Sequence, residues 1–325
     1  MSLQRLVNAP FEGLNFVLRF AVSRGLLPRK AAPLSVISVG NITMGGTGKT
    51  PLVEALARTL LELGAKPAIL TRGYKRLGKT TVVLQGDPGP DWIQAGDEPS
   101  LLARRLPHVP VVVDADRLRG ARKALSLGAT HALLDDGFQH WPLARDLDLV
   151  VVDAKDPLGR RSWRREGPRA LAFASRIVCV GKPAEQETAR TALSRYHPLP
   201  PFAVSLQALG FFWQGRLRPL TELADQKLLA FAGIAHPARF FRTLTETGAQ
   251  LVATKPFPDH HPYTRAELEL LLEEAKRQGA IPITTAKDAV RLPQDLAPEV
   301  AVLEVSLVPL QEPFSALLSP VLGIR

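Results

Sequence analysis

Ser38-Val39-Gly40-Asn41-Ile42-Thr43-Met44-Gly45-Gly46-Thr47-Gly48-Lys49-Thr50-Pro51 follows an apolar run over residues 34–39. It opens a stretch in which Leu52, Val53, Leu56, Ala57, Leu60 and Leu61 recur three and four residues apart. Strand, glycine loop, helix is the context that turns a Gly-rich turn into a phosphate loop. In such a loop backbone N–H groups point inward around phosphate oxygens, and the helix N-terminus adds positive potential. Thr43, Met44, Gly45, Gly46, Thr47, Gly48, Lys49 and Thr50 would line the phosphates. Lys49 is placed for the β/γ-phosphates and the Thr50 hydroxyl for Mg²⁺. One position departs from G-x-x-x-x-G-K-[ST]: Thr43 stands where the first glycine is usual. The plain alternative is a turn with no ligand, but Lys-Thr directly after Gly48 is chemically specific.

The chain has 325 residues, room for two domains, and 46% hydrophobic residues, enough for a real core. Its one cysteine, Cys179, excludes an internal disulfide and fits the cytoplasm. A net charge of +10 calls for an anionic partner: nucleic acid, an anionic membrane surface or a phosphorylated substrate. No aromatic-interleaved RNA motif, zinc knuckle or recognition helix accompanies the charge, so no nucleic-acid partner is expected.

Residues 3–28 read as an amphipathic helix with Phe11, Leu14, Leu18, Ala21 and Val22 on one face, and Arg5, Glu12, Arg19 and Ser23 elsewhere. Charge interrupts it too often for a spanning helix, and it lacks the shape of a secretory signal. It either lies in a membrane interface or packs on the domain. Strands are expected at 67–71, 81–84, 109–113, 131–134, 147–152 and 176–180, with helices between, and a turn at 86–90. This alternation implies a parallel, helix-covered sheet. Asp135-Asp136 ends an apolar strand, as a Walker B element does, where a carboxylate can hold Mg²⁺. Asp97 and Glu98 sit at a helix start, where negative charge is favourable. Arg160, Arg161, Arg164, Arg165 and Arg169 crowd one stretch around Glu166, either a solvated face or a phosphate contact. A hairpin at 202–220 leads to a smaller α/β unit. There Asp259-His260-His261 forms a polar, aromatic-flanked loop in which a histidine beside a carboxylate can tune a proton acceptor. Zinc is discounted for want of further ligands.

Taken together, these motifs resemble one family. They are the phosphate loop, Thr71-Arg72-Gly73-Tyr74, Gly96-Asp97-Glu98-Pro99, Asp135-Asp136-Gly137-Phe138-Gln139-His140, Asp259-His260 and Thr285-x-Lys287-Asp288-Ala289-Val290. In this order they look like the tetraacyldisaccharide 4′-kinases, and Thr43 is in keeping with that family's loop. The resemblance implies a P-loop NTPase-like parallel sheet domain over residues 31–201 and a β-hairpin linker over 202–220. A smaller α/β domain follows over 221–325, and residues 1–30 form a membrane-interface helix. It implies ATP and Mg²⁺ as ligands, and an acylated glucosamine disaccharide 1-phosphate as acceptor. The place is the cytoplasmic face of an inner membrane, with no obligate protein partner. By resemblance Asp97 is the proton acceptor, supported by His260 across a closing interdomain cleft. Lys49 acts on the phosphates, with Thr50, Asp135 and Asp136 at the metal. Arg117 would contact the nucleotide, and Arg72, Gln139, His140 and Glu166 would line the phosphate or acceptor region. The main rival is a deviant-Walker ATPase acting as a partitioning or insertion switch. Those proteins carry a lysine just before the paired glycines, where this chain has Met44.

Overall fold

A parallel strand covered on both faces must be apolar along its length, and the strands flanking the phosphate loop meet that demand. The computed structural model describes residues 3–73, 80–86 and 92–323, the side chains of 3–12 and 92–93 excepted. Tyr74, most of the expected 86–90 turn, and the side chains of Arg5, Phe11 and Glu12 lie outside the described residues. The chain forms two compact units: Met1–Asp87, Leu102–Leu206 and Leu307–Arg325 make the first, Pro88–Leu101 and Gln207–Ser306 the second. The 88–101 stretch, and Asp97 with it, therefore groups with the second unit and not with the P-loop domain expected over 31–201.

The first unit begins with α1 (Leu3–Ser23), β1 (Ser35–Gly40), α2 (Lys49–Glu62), β2 (Pro67–Thr71) and β3 (Val82–Leu84). After α3 (Trp92–Ala95) and α4 (Asp97–Arg105) come β4 (Val111–Val113), α5 (Arg117–Ser126), β5 (His131–Asp135), β6 (Leu147–Asp153), β7 (Arg176–Val180), α6 (Pro183–Leu193) and β8 (Phe202–Trp213). Strand order is β8-β7-β6-β1-β5-β2-β4-β3, parallel except for β3 against β4. β2 and β4 are buried throughout. Val36, Ala68, Leu70, Val112, Ala132 and Leu134 meet Ala121 and Ala124 of α5 in one core. Val150, Val152, Ile177 and Cys179 meet Ala189 and Leu193 of α6 in another. Burial pushes the Cys179 thiol up to about 12, so it is packing rather than chemistry.

Because β1 and β5 are parallel neighbours with Val39 opposite Asp135, the loops that follow both strands open at one carboxyl edge of the sheet. Helix α1 corrects the sequence reading. Its inward side carries Asn15, Arg19 and Val22, while Leu14, Val17 and Phe20 are exposed. The sequence reading placed Arg19 away from the apolar face, whether that face met a membrane or the domain. Arg19 turns inward because Glu166 waits there, and a buried charge is tolerated when paired. Among the described residues no helix is long and apolar enough to cross a membrane.

The second unit contains the rest of β8, β9 (Arg216–Arg218), β10 (Lys227–Ala232), α7 (Pro237–Thr245), β11 (Gln250–Pro256), α8 (Arg265–Arg277), β12 (Ile281–Thr285) and α9 (Ala286–Ala289), and most of β13 (Ala301–Pro309). β8 and β9 form the expected hairpin, Phe211 opposite Arg218. The order β11-β10-β12-β13 is parallel. α8 starts at a capping box: the Thr264 hydroxyl accepts from Glu267 N–H and the Glu267 carboxylate accepts from Thr264 N–H.

Candidate active site

The phosphate loop of the first unit is held from three directions. Gly48 caps α2 at φ 95°, a left-handed conformation glycine adopts without cost, and no side chain caps the first turn. Its first-turn N–H groups are thus not engaged by a capping side chain. Asn41 Nδ2 donates to Thr47 Oγ1 at 3.0 Å, drawing the two ends of the loop together. Met44 N–H donates to Trp163 O at 2.7 Å, and Arg165 N–H to Ile42 O at 2.8 Å. The arginine-rich stretch therefore lies along the first half of the loop, with Thr43 bridged to Arg164. A Cβ at Gly45 or Gly46 would meet nothing within 4 Å, so this side of the loop has room for an anion. A Cβ at Gly40 would sit 2.4 Å from the Cβ of Phe138, because the loop after β5 is pressed against the end of β1.

That second loop carries the paired aspartates. Asp135 is buried; Asp136 reaches Lys49 Nζ at 3.6 Å and Arg165 Nη1 at 2.6 Å. Burial alone would raise the Asp136 pKa, but Lys49 and then Arg165 outweigh it and hold the carboxyl below its ordinary value. Arg145 Nη1 donates to the carbonyls of Gly137, Phe138 and His140 at 3.0, 3.3 and 3.2 Å, and Arg19 Nη2 to Phe138 O at 3.0 Å. Two arginines thus pin the turn that presents the aspartates.

The remaining residues singled out from the sequence fall into place unevenly. Arg117 is buried, donating to the carbonyls of Asp114 and Asp135 at 2.7 and 3.3 Å. Burial lowers its pKa to about 10, with Asp135 and Asp136 opposing, so it is a fixed cation behind the Asp135-Asp136 turn. His140 is brought down to about 4 by burial, then by Arg117 and Arg145, and stays neutral near pH 7. Gln139 Nε2 donates to Asn41 O and to Glu166 Oε1, both at 2.9 Å. Arg72 is exposed beside them. Glu166 is not a surface group. It is 1% exposed, and Arg19 closes on it with Nη2 to Oε1 at 2.6 Å and Nε to Oε2 at 2.7 Å. The Arg19 guanidinium also lies 3.7 Å over the Phe138 ring.

In the second unit Asp97 opens α4. Its Oδ1 accepts from Glu98 N–H at 2.9 Å; its Oδ2 is 2.7 Å from His260 Nδ1 and 3.1 Å from Arg291 Nη1. His260 has φ 64° and donates its own N–H to Gly233 O at 3.0 Å, so the backbone turn aims the ring. His261 turns to Glu267 Oε1 at 3.1 Å and stacks on Phe257, which leaves His260 as the partner of Asp97. The sequence reading had the two coming from different domains; they form a finished pair inside one unit. Lys287 pairs with Glu98. Arg19, Arg145 and Arg291 escaped the sequence reading. The signal for Arg19 was present as a lone arginine near an apolar face, and that for Arg291 as a neighbour of the Lys287-Asp288 motif.

The protein supplies an uncapped helix N-terminus, an ammonium, a threonine hydroxyl and two adjacent carboxylates. Among the described residues no group of three His, Cys, Asp or Glu could hold a metal by itself. That donor set fits Mg²⁺ in the way it is usually bound, by one or two carboxylates with the rest from substrate phosphates and water.

The sequence profile of a family described as LpxK, tetraacyldisaccharide-1-P 4′-kinase, matches residues 3–322. The chain belongs to this family. Relatives named tetraacyldisaccharide 4′-kinase include one from Paramagnetospirillum magneticum, 44% identical over 290 residues, covering 86% of this chain and 82% of the relative. Another from Anaeromyxobacter dehalogenans is 40% identical over 315 residues, covering 90% of this chain and 81% of that one. Among solved structures, LpxK from Aquifex aeolicus, described as in complex with ATP, superposes with a TM-score of 0.78 at 29% identity. That match covers 98% of this chain and 99% of the other. The P-loop-containing α/β fold expected from the sequence is thus that of the tetraacyldisaccharide-1-P 4′-kinases. The deviant-Walker reading finds no support in any of these matches.

Proposed function

We propose that this chain transfers the γ-phosphoryl group of ATP to the 4′-hydroxyl of a tetraacylated glucosamine disaccharide 1-phosphate, forming lipid IVA. Membership of a family of kinases makes the chain a phosphotransferase; the assignment of roles below is our reading. The observations that carry it are an anion cradle with a paired-aspartate loop in the first unit and, within the second, a carboxylate held by a histidine.

The loop amides and Lys49 hold the β/γ-phosphates, where positioning and charge neutralisation count for more than covalent chemistry. Thr50, Asp135 and Asp136 would hold Mg²⁺, which when bound neutralises phosphate charge and orients the leaving oxygens. Lys49 and Arg165 already keep Asp136 ionised for that task. As the 4′-oxygen bonds to the γ-phosphorus, the bond to the β,γ-bridging oxygen breaks and ADP leaves. Asp97 takes the hydroxyl proton, and His260 holds Asp97 Oδ2 in place. Arg117 and Gln139 act from behind, fixing the metal loop, and Arg72 and His140 face the region open to substrate. The acceptor is an acylated lipid, so the exposed Leu14, Val17 and Phe20 of α1 rest on the cytoplasmic face of the inner membrane.

The test is incubation with radiolabelled ATP, Mg²⁺ and the tetraacyl disaccharide 1-phosphate in detergent or vesicles. Label in the lipid is expected. ATP hydrolysis driven by a protein partner, with no labelled lipid, would overturn the reading.

A further inference from the structure

The second unit contains a buried charge cluster that the phosphoryl-transfer chemistry above does not use. Arg291 is 2% exposed and Asp288 fully buried. Asp288 accepts from Gly233 N–H at 2.9 Å, Tyr263 Oη at 3.0 Å and Thr285 Oγ1 at 2.6 Å, and also pairs with Arg291. Arg291 Nη2 donates in addition to Gly233 O at 3.0 Å. With that nitrogen fixed on two partners, the planar guanidinium has little freedom. Its other terminal nitrogen, Nη1, falls 3.1 Å from Asp97 Oδ2. Gly233 ties the cluster to the dyad again, because its carbonyl also accepts the His260 N–H.

A carboxylate that only capped a helix would not need a buried cation. Burying a guanidinium is costly unless its hydrogen bonds are met in fixed geometry. Here the geometry spans Asp288, Gly233 and Asp97, three positions far apart in the chain. We propose that Arg291 is the positioning residue of Asp97. Anchored by Asp288, it fixes the rotation of the carboxylate, so that Oδ1 is presented to the acceptor hydroxyl. The groups that face Asp97 are Glu98 N–H from α4, His260 from the loop after β11 (with Asp259 3.8 Å beyond it) and Arg291 after α9. The inference rests on the reading of Asp97 as proton acceptor.

The test uses full-length enzyme with ATP, Mg²⁺ and tetraacyl disaccharide 1-phosphate, with kcat, KM for ATP and the folded fraction measured for each variant. Arg291→Lys keeps the charge and loses the fork. The double variant Asp288→Asn/Arg291→Met removes both buried charges together, so neither is stranded and the fold is spared. In the double variant kcat is expected to fall about 10- to 100-fold, as for a misplaced reacting group. KM for ATP should hold, so that the loss falls on turnover and not on nucleotide binding. Arg291→Lys, with the charge but not the fork, should show the same split, a lowered kcat with KM for ATP unchanged. A double variant whose kcat falls only with its folded fraction, or an Arg291→Lys variant with wild-type kcat, overturns the proposal. Asp97→Asn, run in parallel, separates the two levels: if it retains turnover, the proton-acceptor reading fails and takes this inference with it.

Discussion

Replacing Arg19 tests whether α1 is a structural part of the site or an appendage. The Arg19 and Glu166 side chains are 3% and 1% exposed, and their two contacts of 2.6 and 2.7 Å are bidentate. Breaking a buried pair by removing one partner costs about 3–5 kcal/mol, because the remaining charge stays buried. Losing the guanidinium over Phe138 adds about 0.5–2 kcal/mol. The helix can escape part of this by undocking, which would let water reach Glu166. What then holds α1 is the burial of Val22, worth about 1.5–3 kcal/mol, the Asn15-to-Arg165 hydrogen bond of 2.8 Å, worth about 1 kcal/mol, and the edge-on packing of Phe16 on Phe173 at 6.2 Å, worth about 0.5–1.5 kcal/mol. The two sides nearly balance, so Arg19→Met should loosen α1 while the sheet stays folded. Hydrogen exchange should show amides of α1 losing protection, and limited proteolysis should cut within the helix. If α1 stays docked instead, the full penalty appears as a drop in melting temperature of about 7–28 °C. Arg19→Met/Glu166→Leu should return both readouts close to wild type, since an apolar pair of similar volume leaves no stranded charge. Arg19→Met with wild-type exchange, proteolysis and melting would refute the reasoning.

Deleting residues 1–28 should cut vesicle binding and activity on the lipid together, measured by co-sedimentation and label transfer; a truncation still bound and fully active would remove the interface role of α1. Asp97→Ala should lower kcat far more than it weakens ATP binding, as read from titration alongside turnover. Gly40→Ala puts a Cβ 2.4 Å from that of Phe138, so overpacking of about 1–3 kcal/mol and displacement of the aspartate turn should appear as lower melting temperature and weaker ATP binding. His140 is held neutral in the fold, with its pKa lowered from 6.5 to about 4. Its contribution is therefore full above about pH 6.5 and is lost as pH falls toward 4, amounting to no more than about 3 kcal/mol before solvent screening. His140→Gln should flatten that part of the stability profile in urea titrations at successive pH values.

The strand, loop and helix around Gly48 were legible because three local signals agree: an apolar run, glycines, and a periodic helix. The boundaries moved little; the strand expected at 176–180 is β7 as observed, and Asp97 and Glu98, expected at a helix start, open α4. What stayed hidden is pairing at long range. Asp97 meets His260 and Arg291 across 163 and 194 residues, and Arg19 meets Glu166 across 147. A motif announces that a carboxylate matters, but with 41 lysines and arginines in the chain, nothing local says which one neutralises it. The same blindness misplaced Arg19 on the helical wheel. An arginine counts as a solvent residue until the acid that draws it inward is known.

A carboxylate is too weak a base to ionise a sugar hydroxyl in advance, and phosphoryl transfer through a loose transition state does not ask it to. The proton leaves late, once the oxygen has begun to bond to phosphorus, so the group that receives it needs to be ionised and in line more than strongly basic. In Asp97 both carboxylate oxygens are held, Oδ1 by Glu98 N–H and Oδ2 by His260 and Arg291, which fixes that position. A variant that frees Asp97 from Arg291 keeps the carboxylate and should still be slower.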